Sequence, residues 1–193
     1  MFIIGVTGEF GSGKSTVAAM FKKRGGRVID ADKVVHDLFR KDAQCRRQVR
    51  SVFGDNVLTQ EGVDRRKLGA IVFGDRKALQ KLERIVHPLA KGRIKEQLRK
   101  SRVRVTVLDV PLLIEAGWAK MVDALIVVKA GRRIQIERLQ KRTGLSRGEI
   151  MRRLARQMPA KEKVKYADIV IDNRHSFADT DKQVQKIWDL LTK

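Results

Sequence analysis

The stretch Phe2-Ile3-Ile4-Gly5-Val6-Thr7-Gly8-Glu9-Phe10-Gly11-Ser12-Gly13-Lys14-Ser15-Thr16 decides the reading of this chain. Its first part is a short apolar, β-branched run of the kind that forms a buried strand. From Gly8 to Ser15 it fits G-x-x-x-x-G-K-[ST], in which glycines let backbone N–H groups curl around a polyphosphate. Lys14 is placed to reach the outer phosphates, and the Ser15 hydroxyl to ligand Mg²⁺ at the start of a helix whose positive dipole end faces the anion. A glycine-rich turn with no ligand is the bland alternative, and the complete motif between strand and helix weighs against it. A nucleoside triphosphate is the expected ligand.

Working outward, four more apolar runs read as strands: Arg27 to Ile29, Val103 to Leu108, Ala124 to Val128 and Ile169 to Ile171. Helical patterns lie between them, over Lys14 to Lys23, Arg76 to Arg99, Arg132 to Lys141 and Phe177 to Leu191. Strands alternating with helices after a phosphate loop predict an α/β fold of the P-loop NTPase kind, a five-stranded parallel sheet with helices on both faces. Its ligands belong beyond the carboxyl ends of the strands. Two helical stretches, about residues 33–100 and 141–166, are too long for simple crossovers and read as lobes inserted into a single domain of residues 1–193.

A chain of 193 residues is long enough for a sizeable core, and 42% apolar content is ordinary for a globular protein. No run approaches the roughly 20 apolar residues that span a bilayer, so no membrane partner is expected. Met1-Phe2-Ile3-Ile4 lacks the features of a secretory signal, which makes the cytoplasm the default location. Cys45, alone, can form neither an internal disulfide nor a zinc site and reads as an inert helix residue. The net charge of +21 is extreme, and residues 131–166 hold 12 Lys and Arg against 3 Glu. One reading is attraction of polyanionic substrates or nucleic acid; the other is the solvated surface of a thermally hardened protein.

Two aspartates follow the second strand in Val28-Ile29-Asp30-Ala31-Asp32. Either could take the proton of an attacking hydroxyl, a recurrent part of phosphoryl transfer, or cap the helix that begins near Lys33. The third strand ends Leu108-Asp109-Val110-Pro111, where Asp109 reads as a Mg²⁺ ligand or as a turn residue, and Pro111 takes the chain out of the sheet.

At this point an ordered set of pieces resembles the dephospho-coenzyme A kinase family. They are Thr7-Gly8 with Gly11-Ser12-Gly13-Lys14-Ser15-Thr16, Asp30-Ala31-Asp32, Leu82-Glu83 with His87-Pro88, and Val110-Pro111-Leu112-Leu113 with Glu115. Arg138 with Arg142, Gln157, Ala167-Asp168 and Ile171-Asp172-Asn173 complete it. The resemblance implies ATP-dependent phosphorylation of the ribose 3′-hydroxyl of dephospho-CoA, giving CoA and ADP, with Mg²⁺ as cofactor. It makes Asp32 the base, Lys14 and the residues from Gly11 to Thr16 the ATP cradle, and Ser15 the metal ligand. Arg142 becomes the arginine of a helical lid, a role suited to its planar fork. The lobe carrying His87 would grip the acceptor, with a histidine that merely fixes a bend before Pro88 as the alternative. Asn173 falls near the adenine or serves as a turn residue.

The chain departs from the family pattern at Glu9-Phe10, which stand where a glycine and an aliphatic residue are usual, and Glu9 could face solvent or the acceptor lobe. Thr143 stands where an acid is common, and His175 where a glycine is frequent. A nucleoside monophosphate-type kinase would share loop and lid, but the Asp30-Ala31-Asp32 and Val110-Pro111-Leu112-Leu113 signatures argue against it. A nucleic-acid-binding ATPase is suggested by charge alone, and with 5% aromatic residues there is little stacking platform for bases. Nothing in the pattern fixes an oligomeric state.

Overall fold

The computed structural model describes residues 1–193. In chain order the elements are β1 (Phe2–Thr7), α1 (Lys14–Lys23), β2 (Arg27–Asp30), α2 (Ala31–Lys41), α3 (Ala43–Phe53), β3 (Leu58–Thr59), β4 (Gly62–Val63), α4 (Arg65–Val72) and α5 (Arg76–Arg99). There follow β5 (Val105–Asp109), β6 (Ala124–Lys129), α6 (Arg132–Thr143), α7 (Arg147–Leu154), α8 (Ala160–Val164), β7 (Ile169–Asp172) and α9 (Phe177–Thr192). No helix is long and apolar enough to cross a membrane.

The apolar runs form one five-stranded parallel sheet in the order β2-β5-β1-β6-β7. Strand β1 is central: Val6 lies opposite Asp109 of β5 and Ile126 of β6, and Val128 of β6 pairs with Ile171 of β7. Every residue of β5 is buried, as expected of a parallel strand covered on both faces. On one face Ile4, Val6, Val107, Ile126 and Val128 pack against Val17, Met20 and Phe21 of α1 and Val184 and Ile187 of α9. Each such large side chain, fully buried, stabilises the fold by about 1.5–3 kcal/mol. Strand β5 starts at Val105 rather than Val103, because exposed Arg102 and Arg104 turn the preceding residues toward solvent.

The chain divides into two compact units, one of Met1–Ile29 with Ser101–Lys193, the other Asp30–Lys100. In the second unit α2, α3 and α4 begin at the aspartate caps Asp30, Asp42 and Asp64, each accepting a hydrogen bond from a backbone N–H of the helix that follows. The two-residue strands β3 and β4 form a hairpin that periodicity alone does not reveal. It presses on α2 so closely that a Cβ on Gly62 would lie 2.3 Å from the Phe39 carbonyl. The break expected at Pro88 is absent. Helix α5 runs unbroken for 24 residues, and Pro88, which has no N–H to donate, falls on its exposed side together with Arg84 one turn before it.

Candidate active site

The phosphate loop bridges β1 and α1, and its shape follows from its glycines. Gly11 and Gly13 hold φ of +80° and +96°, which side chains disfavour. Space forbids a Cβ as well: on Gly8 it would lie 2.3 Å from the Val128 carbonyl, on Gly11 2.8 Å from Leu139, and on Gly13 2.0 Å from Asn173 Nδ2. Lys14 is buried at the first position of α1, and its Nζ donates to the Glu9 carbonyl at 3.1 Å. A lysine at a helix N-terminus opposes the helix dipole, so this placement calls for an anion beside it. Ser15 and Thr16 stand exposed in the same turn, while the buried Ser12 Oγ has no hydrogen-bond partner. A cradle without Cβ atoms, an orphaned hydroxyl and a buried ammonium fit a bound polyphosphate.

Asn173 is the brace of this loop. It is buried just past β7, where its Nδ2 donates to the Ser12 carbonyl at 2.8 Å and its Oδ1 accepts from Thr180 Oγ1 at 2.9 Å. The preceding Asp172 is gripped by the Arg174 fork, with Nη2 2.7 Å from Oδ2, and this ion pair holds its carboxyl below the usual range. Asn173 therefore shapes the cradle from behind, through the Ser12 carbonyl.

Glu9 faces neither solvent nor the acceptor lobe, the two directions expected of it. It is buried, and its carboxylate accepts from Arg132 Nη2 at 3.0 Å and Gln135 Nε2 at 3.2 Å, both on the first turns of α6. Phe10 enters the apolar cluster of Ile136, Leu139, Ile150 and Leu154 between α6 and α7, and its N–H donates to Gln157 at 2.7 Å. Among the basic residues of α6, Arg142 is exposed in the last turn. One turn earlier the half-buried Arg138 brings Nη1 to 3.9 Å from the place of a Cβ on Gly13. Arg138, which sequence reasoning had named beside Arg142 without a role, therefore flanks the loop.

Lys163 is a further residue that sequence reasoning passed over. It is 0% exposed, and its Nζ donates to the Pro111 carbonyl at 2.8 Å and pairs with Glu115 at 2.9 Å. The same Pro111 carbonyl accepts from Thr7 Oγ1 at 3.0 Å, and Glu115 accepts from the Met158 N–H at 3.1 Å. Thus α8, the segment after β5 and the end of β1 are tied at one point. Asp109 is buried at the end of β5, in register with Val6.

In the second unit the two aspartates after β2 separate in role. Asp30 is the cap of α2, its Oδ1 accepting from the Lys33 N–H at 3.0 Å, whereas Asp32 lies exposed in the first turn. On α5, Gln80, Glu83, Arg84, His87 and Pro88 recur at helical spacing and line an open groove of about 320 Å³. His87 is half-buried there.

A family model described as dephospho-CoA kinase matches residues 2–179. The chain belongs to the dephospho-CoA kinase family. It is 46% identical over 193 residues to the dephospho-CoA kinase of Aquifex aeolicus, covering 98% of this chain and 97% of that one. The structure of TT1252 from Thermus thermophilus is similar with a TM-score of 0.87 and 34% identity, over 100% of this chain and 98% of that one. That of dephospho-CoA kinase from Campylobacter jejuni has a TM-score of 0.71 at 29% identity, over 97% and 95%. The expected family and the α/β fold with its five-stranded parallel sheet are both borne out. This dephospho-CoA kinase family member is an enzyme, a kinase, and CoA biosynthesis is its setting.

Proposed function

We propose that the chain transfers the γ-phosphoryl group of ATP to the ribose 3′-hydroxyl of dephospho-CoA, releasing CoA and ADP. The observation that carries this reading is the phosphate cradle with its buried Lys14 in a chain of this family. Loop N–H groups and Lys14 hold the β- and γ-phosphates, and Arg138 and Arg142 offer guanidinium forks to the transferring oxygens. Asp32 accepts the proton of the attacking hydroxyl; its exposure and the assignment of the cap to Asp30 support that role. The groove beside His87 receives the acceptor, with Arg84 and His87 as donors to its phosphates. Asn173 acts on the nucleotide through the loop it braces.

Magnesium fits the donor set, because it takes one or two protein oxygens together with phosphate oxygens, and Ser15 and Asp109 are the candidate ligands. When bound it neutralises charge on the β- and γ-phosphates. A cytoplasmic setting belongs to the same proposal.

The test is an ADP-release assay with dephospho-CoA, AMP, CMP and adenosine as alternative acceptors. Turnover is expected with dephospho-CoA, well above the others. Absence of dephospho-CoA-dependent turnover sinks the proposal, and preference for AMP or CMP would replace it with a nucleoside monophosphate-type kinase.

A further inference from the structure

The mechanism above uses the glycines and Lys14 of the loop and leaves Glu9 and Phe10 without a task. A carboxylate there is costly twice over. At 3% exposure Glu9 has lost most of its hydration, and it belongs to a loop shaped for a polyanion. Its charge is met from one direction, the start of α6. Arg132 and Gln135 donate to its two oxygens, and the positive dipole end of α6 adds a favourable field. Its carbonyl meanwhile accepts from Lys14 Nζ. Phe10 extends the grip, its ring under the α6–α7 cluster and 5.8 Å from the Arg153 guanidinium carbon. Two consecutive residues of the loop thus hold both basic helices that follow β6.

We propose that Glu9 and Arg132 form a charge-compensated strut between the phosphate loop and α6. Arg132 cancels the loop's own carboxylate so that a triphosphate is accepted. Glu9 in return fixes the start of α6, so that Arg138, nearly two turns on, faces Gly13. Glu9 is a positioning residue, acting through Arg132 and Arg138. The inference rests on the reading of the loop as an ATP site.

The strut predicts non-additivity of a particular sign. Arg132→Ala leaves a buried carboxylate in the phosphate loop with Gln135 as its remaining side-chain donor and no cation against it, so the Kd for ATP rises about tenfold or more. Glu9→Gln removes the charge and keeps the shape, so ATP affinity changes little while kcat falls, because α6 is less firmly placed. The double variant Glu9→Gln with Arg132→Ala binds ATP more tightly than Arg132→Ala alone, and Arg132→Lys stays near wild type. Calorimetric ATP titration of the full chain, with thermal melts on each variant, gives these values. The strut is refuted by wild-type affinity in folded Arg132→Ala, or by defects that simply multiply in the double variant. Failure of wild type itself to bind ATP would overturn the underlying reading instead.

Discussion

At the scale of single residues, the loop depends on partners remote in sequence. Asn173 reaches the Ser12 carbonyl across 161 positions, and Thr180 fixes the orientation of its amide. Asn173→Ala would leave the buried Ser12 carbonyl without the amide that donates to it, a loss of about 1–3 kcal/mol, while the Thr180 hydroxyl keeps the Ser176 carbonyl as acceptor. A lower melting temperature together with a raised KM for ATP is the expected result. A stability loss with unchanged KM would show that the loop keeps its shape without the brace. The chemistry of Asn173 was legible as a family position, but its partner was not, since spacing along the chain says nothing of which carbonyl a side chain will meet. The same holds for Glu9. Lys163 escaped notice for a different reason: lysines are almost never fully buried, and only the Pro111 carbonyl and Glu115 make its burial tolerable.

At the scale of elements, helix starts explain a division of labour that sequence left open. Asp30 and Asp32 were equivalent candidates for cap and base, and the extended conformation of Asp30, the last residue of β2, gives it the capping geometry. Asp30→Ala is expected to cost about 1 kcal/mol of stability with modest change in kcat. Asp32→Asn should do the reverse, leaving the melt nearly unchanged and lowering kcat about a hundredfold, the scale of a positioned base. Paired melts and single-turnover kinetics on the two variants distinguish these outcomes, and an unchanged kcat in Asp32→Asn would remove it from the chemistry. The limits of α1 and α5 were readable to the residue because the phosphate-loop motif sets the start of α1, while in α5 periodicity agrees with the cap at Asp75. The β3–β4 hairpin was not, because two-residue strands are too short to show alternation.

At the scale of the whole molecule, the +21 charge has two polyanionic substrates to serve. Ion pairs such as Arg132 with Glu9, Lys163 with Glu115 and Arg174 with Asp172 use some cations locally. Many others stand exposed along α6 and α7, among them Lys141, Arg142, Arg147 and Arg152. Excess positive charge steers anions toward the site, and salt screens that attraction within about 8 Å at physiological ionic strength. Values of kcat/KM for ATP and dephospho-CoA should therefore fall steeply as salt is raised while kcat changes little. A salt-independent kcat/KM would assign the charge to the solvated surface of a hardened protein. The composition announced the charge plainly; its division between fixed pairs and free cations needed the fold.

Cys45 has a practical consequence of another kind. It sits at 0% exposure inside α3, and burial pushes its thiol up to about 11, so at neutral pH it offers no thiolate to an alkylating dye. The native chain therefore behaves as a cysteine-free background for spectroscopy. A single cysteine introduced at an exposed place such as Arg152 would carry a fluorophore or spin label alone, and the helices gripped by the phosphate loop could be followed through a catalytic cycle without first re-engineering the interior.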